Sequence, residues 1–228
     1  MPTLKLPLGG EAVYRGMTGR EEDLLTNKKL VRSGEAVDLV VANCVESLRG
    51  EDKVTLKTIR GLCSPDRMAL LLAIRIESYG PEMEVKLQGQ DGVFTVNVDL
   101  LEAIEMREAP AEWNEESDFP FEATVKTDDG EITVPFTYMT GKEELRVTRA
   151  ENPITTVMLL RMGSIEGVHD NDRRRWLQEL PVRERQALRR AMEEADCGPQ
   201  MSLTADDPTT GDEVNFNIME SESFFFPA

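Results

Sequence analysis

The chain has 228 residues, 40% of them apolar, enough to pack one domain or two small ones. It carries 43 acidic against 26 basic side chains, a formal charge of -17, and such a surface repels phosphate backbones and anionic membranes, so neither nucleic acid nor membrane is an expected partner. No stretch approaches the ~20 apolar residues of a membrane span, no signal-peptide core opens the chain, and Cys44, Cys63 and Cys197 are odd in number and widely spaced, as in reduced cytoplasmic thiols.

In chain order, Thr3 to Tyr14 reads as an extended arm, because Pro7, Gly9 and Gly10 oppose helix. "MTGREEDLLTNKKLVRSG" reads as one helix. Thr18 and Glu21 form a capping box, acidic residues fill the first turn, basic residues the last, and Gly34 stops it. "EAVDLVVANCVESLRG" reads as a second helix, with Val37, Val40, Val41, Cys44, Val45 and Leu48 at helical spacing, so Cys44 is expected in the core. Residues 51–63 read as a connector. "SPDRMALLLAIRIESYG" follows as a helix capped by Ser64, with Pro65 in its first turn and Gly80-Pro81 at its end. It is the expected centre of the core.

The period then changes. "MEVKLQGQDGVFTVNVDL" alternates apolar and polar residues on both sides of a Gly/Asp turn and predicts a β-hairpin. "LLEAIEMREA" adds a short helix, and the acidic "PAEWNEESDFP" reads as a linker. A second hairpin is predicted over "FEATVKTDDGEITVPFTYM", turning at Asp128-Asp129-Gly130, with a further strand at "EELRVTR". Helices are expected over "NPITTVMLLRMGSI", "HDNDRRRWLQEL" and "PVRERQALRRAMEEADCG", the last entered through Pro181 and ended by Gly198. A third hairpin covers "QMSLTADDPTTGDEVNFNIM". The first and third hairpins have similar shapes, which fits either an internal duplication or chance.

The expected class is therefore α+β, a mostly helical core with small hairpins. The expected units are residues 1–110, helical with the first hairpin, and residues 111–228, with the other hairpins, the second helical region and an aromatic tail; the two also fit one compact body.

Catalytic patterns are missing from the sequence. His169 is the sole histidine and lies among polar residues. No Ser or Cys sits in a nucleophile elbow, and the glycines form no phosphate loop. "TDDGEIT" lacks the spacing of a calcium loop and fits a tight turn. Among 43 carboxylates any apparent acid-base pair is uninformative. No enzyme activity, cofactor or metal site is expected. Arg173, Arg174, Arg175, Arg183, Arg185, Arg189 and Arg190 form a basic stretch, read as a solvated face paired with Glu179, Glu184, Glu193 and Glu194, with a binding face, or a dock for the linker near Glu115–Asp118, as the alternative.

"LPLGG", "RGMTGREEDLL", "DRMALLLAIRIESYG" and the terminal "FFFP", in that order, resemble the base plate protein family of T-even-type contractile-tailed phages, whose members are described as baseplate hub assembly chaperones. The best-matched part is residues 15–80. The resemblance implies a non-enzymatic protein that binds hub, spike or tape-measure components in the bacterial cytoplasm during tail assembly, or a minor subunit kept in the finished baseplate. Members commonly carry CPxC-type pairs after the "SYG" block and before the aromatic tail, which implies a metal-stapled ribbon. Here the first position has no Cys and the second keeps only Cys197, and one thiolate cannot close a zinc site. Packing must replace the metal: Val85, Leu87, Phe94, Val96 and Val98 at the first hairpin, Leu203, Val214, Phe216 and Ile218 at the last.

Phe224, Phe225, Phe226 and Pro227 are the candidate partner-binding residues. Exposed apolar clusters mark contact surfaces, and each buried Phe contributes about 1.5–3 kcal/mol. As a strand, the tail would turn Phe224 and Phe226 one way and Phe225 the other. Docking on its own core and insertion into a partner both remain open at this level.

Overall fold

The computed structural model describes residues 1–127 and 130–226. Helices take 42% of the chain and strands 26%, in small antiparallel sheets, so the α+β expectation holds.

Strands β1 (Thr3–Lys5) and β2 (Glu11–Tyr14) make the opening arm a hairpin around Pro7–Gly10. Helix α1 (Gly19–Thr26) begins at the capping box: the Thr18 amide and hydroxyl both donate to Glu21 Oε2 at 2.8 Å. The single helix expected here is two. Asn27 ends α1 and caps α2 (Lys28–Ser33) by accepting from the amides of Lys29 and Leu30. An Asx side chain competes for backbone amides and restarts the helix at a new angle. Gly34 ends α2 at φ 75°, a left-handed position suited to glycine.

Helix α3 (Ala36–Cys44) stops nine residues in, and Val45–Leu48 continues as β3, the third strand of the β1-β2-β3 sheet. Helical spacing mispredicts this stretch because Val45 and Leu48 are buried from either conformation. Pairing with β2 decides the matter. The connector holds a short helix, α4 (Leu56–Gly61), started by Thr55. Helix α5 (Ser64–Tyr79) is the apolar centre, with Leu70, Leu71 and Ile74 buried. Its cap position is Cys63; Ser64 Oγ instead donates to Met139 O at 2.9 Å and to Glu144.

β4 (Glu82–Gln88) and β5 (Val93–Asp99) form the first hairpin where one is expected, with Val85 opposite Val96 and Leu87 opposite Phe94. One turn of helix, α6 (Leu100–Ala103), leads to the two-residue β6 (Met106–Arg107). The linker is irregular but anchored: Trp113 Nε1 donates to Leu8 O at 3.3 Å, and its ring lies 5.3 Å from that of Tyr138. β7 (Phe121–Thr127) and β8 (Gly130–Phe136) form the second hairpin; Asp128 and Asp129 of its expected turn lie outside the described residues. The strand expected at 143–149 is helix α7 (Gly141–Val147), started by a second capping box in which Glu143 accepts from the Thr140 amide at 2.8 Å. Alternation over so short a stretch is weaker than that start signal.

Helices α8 (Pro153–Arg161), α9 (Arg173–Glu179) and α10 (Val182–Glu194) follow. α10 lays Leu188 and Met192 against β7. β9 (Gly198–Pro199) then pairs with β6 and returns the chain to the first half. β10 (Ser202–Asp206) and β11 (Glu213–Asn217) form the third hairpin. A short helix, α11 (Glu222–Phe225), follows one 3-10 turn.

The apolar interior has two clusters. One draws on residues 6–104 and again on Met201, Ile218 and Phe224; the other holds Leu8 and residues 121–197. Leu6 belongs to one and Leu8 to the other. The first turn of α5 joins them through buried charge. Arg67 pairs with Asp38 of α3 on one side and with Glu144 of α7 on the other. Asp66, fully buried, accepts from the Leu8 amide and from Arg49 at 2.9 Å each, and Arg49 also holds Glu115 at 2.7 Å. Burial pushes the Asp66 carboxyl up, opposed by these two donors.

Arg67→Ala should destabilise the fold by about 3 kcal/mol, the low end for breaking a buried pair, since Arg60 still reaches Asp38 at 3.1 Å; urea unfolding measures it. Glu21 supplies a pH test. Burial raises its carboxyl, but donors from Arg15 and Thr18 outweigh this and hold it at about 2, against an ordinary 4.5. A depressed folded value means the contribution is complete above pH 4.5 and disappears as pH falls toward 2. Glu21→Gln should therefore lower stability at neutral pH, and its gap to wild type should close over that acid range.

Candidate partner-binding site

The tail is a short helix, which removes the strand alternation. Ile218, fully buried, fixes the end of β11. Asn217 accepts from the Met219 amide at 2.9 Å and turns the chain into the 3-10 turn. The Phe224 amide then donates to Ser221 O at 3.1 Å, and Ser223 Oγ donates to Glu84 O, so α11 packs on β4.

The three phenylalanines separate by depth. Phe224 is 0% exposed and joins the first cluster with Met83, Val85 and Leu87. Phe225 is half-buried and meets Phe224 edge-on, centroids 4.9 Å apart. Phe226 is 42% exposed. Pro227 lies outside the described residues. The structure thus brings Phe224 and Phe225 together on the protein's own core and leaves Phe226 facing out.

Packing holds both hairpins that frame this seat. Val85, Leu87, Val98 and Ile218 are buried, and Phe94, Val96, Leu203, Val214 and Phe216 are partly buried against the same cluster. The hairpin ends meet: Gln90 Nε2 donates to Asp212 at 2.7 Å, and a Cβ on Gly89 would lie 2.0 Å from Asp207 Oδ2. That contact leaves room only for glycine.

A second concave feature, of about 350 Å³, lies between the two clusters, where Tyr138, Arg161, Asp196, Cys197 and Met201 converge. Arg161 pairs with Asp196 at 2.9 Å and stacks 5.7 Å from the Phe136 centroid. Tyr138 donates to Ala195 O at 2.6 Å. Burial pushes the Tyr138 phenol and the Cys197 thiol above their ordinary values. Cys63 is pushed to about 11 and Cys44 to about 12, both by burial. Thiols so shifted stay protonated near neutral pH, the reverse of what a nucleophile requires. Among the described residues no group of three or more His, Cys, Asp and Glu side chains is placed to hold a metal ion.

His169 is exposed and accepts from the Asn171 amide at 3.2 Å, a local turn contact. In the basic stretch Arg175 pairs with Glu179 at 2.8 Å and Arg189 with Glu193 at 3.2 Å, and Arg185 donates to Thr155. Glu184 accepts from the Lys126 amide, and Glu115 of the linker pairs with Arg49, away from these helices. The sequence reading missed Arg161, Asp196 and Tyr138. Their common signal is weak, because each lies in a different segment and only folding gathers them.

A family model described as T4 bacteriophage base plate protein matches residues 1–225. Searches of curated proteins and of solved structures gave no significant match. Among the described residues no helix is long and apolar enough to cross a membrane.

Phe224→Ala should cost about 3–5 kcal/mol, the range for emptying a buried Phe site, while Phe226→Ala should stay within about 0.5 kcal/mol, as for a surface change; paired chemical denaturation curves check both.

Proposed function

The chain belongs to the T4 bacteriophage base plate protein family, and on that premise we propose that it is a non-enzymatic baseplate assembly protein, a hub assembly chaperone that engages other tail proteins through its aromatic terminus. Phe224 roots the tail in the first cluster, and Phe225 and Phe226 present an apolar contact to hub, spike or tape-measure proteins in the bacterial host cytoplasm. The observation that carries this reading is the graded burial of the tail: one Phe fully buried, one shared, one 42% exposed. A rooted anchor has already lost most of its conformational freedom, so less is lost on binding.

The charge fits the role. A body at -17 repels its own copies and attracts basic partner surfaces.

A second reading follows from the family description itself, a base plate protein: the chain stays in the particle as a minor subunit. Mass spectrometry of purified particles separates the two, since an assembly factor is lost and a subunit is retained at fixed ratio.

Tagged full-length chain from cells making tails should recover hub components, and Phe226→Asp should reduce recovery at least tenfold while melting like wild type. Undiminished recovery removes the tail from the mechanism. Recovery of no tail protein, with normal tails in a deletion strain, removes the assembly role.

A further inference from the structure

The first hairpin has one edge covered and one edge open. The Leu100 amide donates to Pro81 O at 2.9 Å and the Gly89 amide to Gly92 O at 2.8 Å, both in the β4-β5 register. Ladder bonds in an antiparallel pair alternate. Phe94, Val96 and Val98 therefore bond β4, and the amides and carbonyls of Val93, Thr95 and Asn97 point away from it. The same alternation turns Glu82 and Glu84 outward on β4, where that edge is taken: Glu84 O accepts from Ser223 of the tail and Glu82 O from Arg75 at 3.4 Å. On β5, among the described residues, no further main-chain hydrogen bond reaches the outward groups, and Val93, Thr95 and Asn97 are exposed.

Folded proteins blunt such an edge with Pro, Lys or a bulge. β5 reads Val-Phe-Thr-Val-Asn-Val-Asp and pairs without a register shift, so it has none of these. The second hairpin differs, with partners on both strands: Glu184 accepts from the Lys126 amide of β7, and the Gly163 amide donates to Pro135 O of β8.

Beside the open edge lies a cleft of about 380 Å³. Val96 and Val98 of β5 and Leu203 and Phe216 of the third hairpin make it apolar, and Asp99 and Glu102 are its charged residues. Asp99 accepts from the Leu101 amide at 2.9 Å through one oxygen, and Glu102 is exposed. Lys86, opposite Thr95 in the register, does not line the cleft. A row of unpaired main-chain donors and acceptors selects an extended chain, because a strand matches their spacing. The two carboxylates select its charge.

We propose that β5 takes an added strand from a partner protein. The segment is extended and basic: its main chain pairs with Val93, Thr95 and Asn97, its apolar side chains sit over Val98 and Phe216, and its Lys or Arg reaches Asp99 and Glu102. A second copy would bring the same two carboxylates and another -17 body to this edge. This chain's own segments outside the described residues are two residues each, too short for such a strand. That the partner is a tail protein rests on the function proposed above; the open edge and its charge do not.

The test titrates isotope-labelled full-length protein with a capped synthetic peptide of about seven residues alternating Val and Lys. One control peptide replaces Lys with Glu; another carries a methyl group on every amide nitrogen, which removes the donors a ladder needs. On binding, the amides of Val93, Thr95 and Asn97 should shift and exchange with solvent at least tenfold more slowly, while those of Phe94, Val96 and Val98, already bonded to β4, change little. Asn97→Pro, which removes an amide the fold does not use, should weaken binding at least tenfold. Glu102→Lys, at an exposed position and melting like wild type, should weaken the Lys peptide by a similar factor and admit the Glu peptide. If Asn97→Pro fails to fold, Glu102→Lys and the exchange rates still decide. Equal binding of either control peptide to the wild-type protein, protection confined to Ser202, Thr204 and Asp206 of β10, shifts confined to Phe225 and Phe226, or no shift at all overturns the proposal. So does a dimer in sedimentation whose β5 amides are protected without peptide, because a second copy then holds the edge. No phage component enters the titration, so its failure is distinct from failure of the pull-down.

Discussion

Arg67 and its two carboxylates are the constraint around which the chain is arranged. A guanidinium withdrawn from water is tolerable only when paired and hydrogen-bonded. Its partners come from segments far apart in sequence, Asp38 on α3 and Glu144 on α7, so the pairs form only when both apolar clusters stand in one relation to α5. Asp66, one residue earlier, repeats the logic with Leu8 and Arg49. Buried charge adds little net stability. An arrangement that removed one partner would strand a charge away from water, which is strongly destabilising.

The joint determines where the chain can go afterwards. With α5 fixed, Ser64 and Leu62 exchange hydrogen bonds with Met139 and Gly141, which seats the second cluster. β9 then pairs with β6 and carries the last residues back to the first cluster. Phe224 reaches the hairpin β4-β5 across more than a hundred residues of sequence. The tail is therefore part of the structure that presents it.

Acidity and apolar exposure cooperate on this surface. An open strand edge or a bare Phe on a neutral protein invites self-association. A strongly negative body suppresses like-with-like contact while leaving the same surfaces open to basic partners. That combination suits a member of a base plate family, which must meet other tail proteins.

The sequence alone determined the features that depend on near neighbours: the Thr18–Glu21 capping box, the Gly34 stop, the apolar α5, the three hairpins and the burial of Cys44. Each rests on a hydrogen bond or a periodicity spanning a few residues. Where two local readings compete for Val45–Leu48, long-range contact chose a strand because β2 offers it a ladder, whereas Asn27 divides a helix through a local contact, its side chain accepting from the Lys29 and Leu30 amides. The Arg67 joint and the unequal depths of Phe224, Phe225 and Phe226 are tertiary throughout. Burial and ion pairing depend on which surfaces the folded chain brings face to face, and no short stretch of sequence carries that.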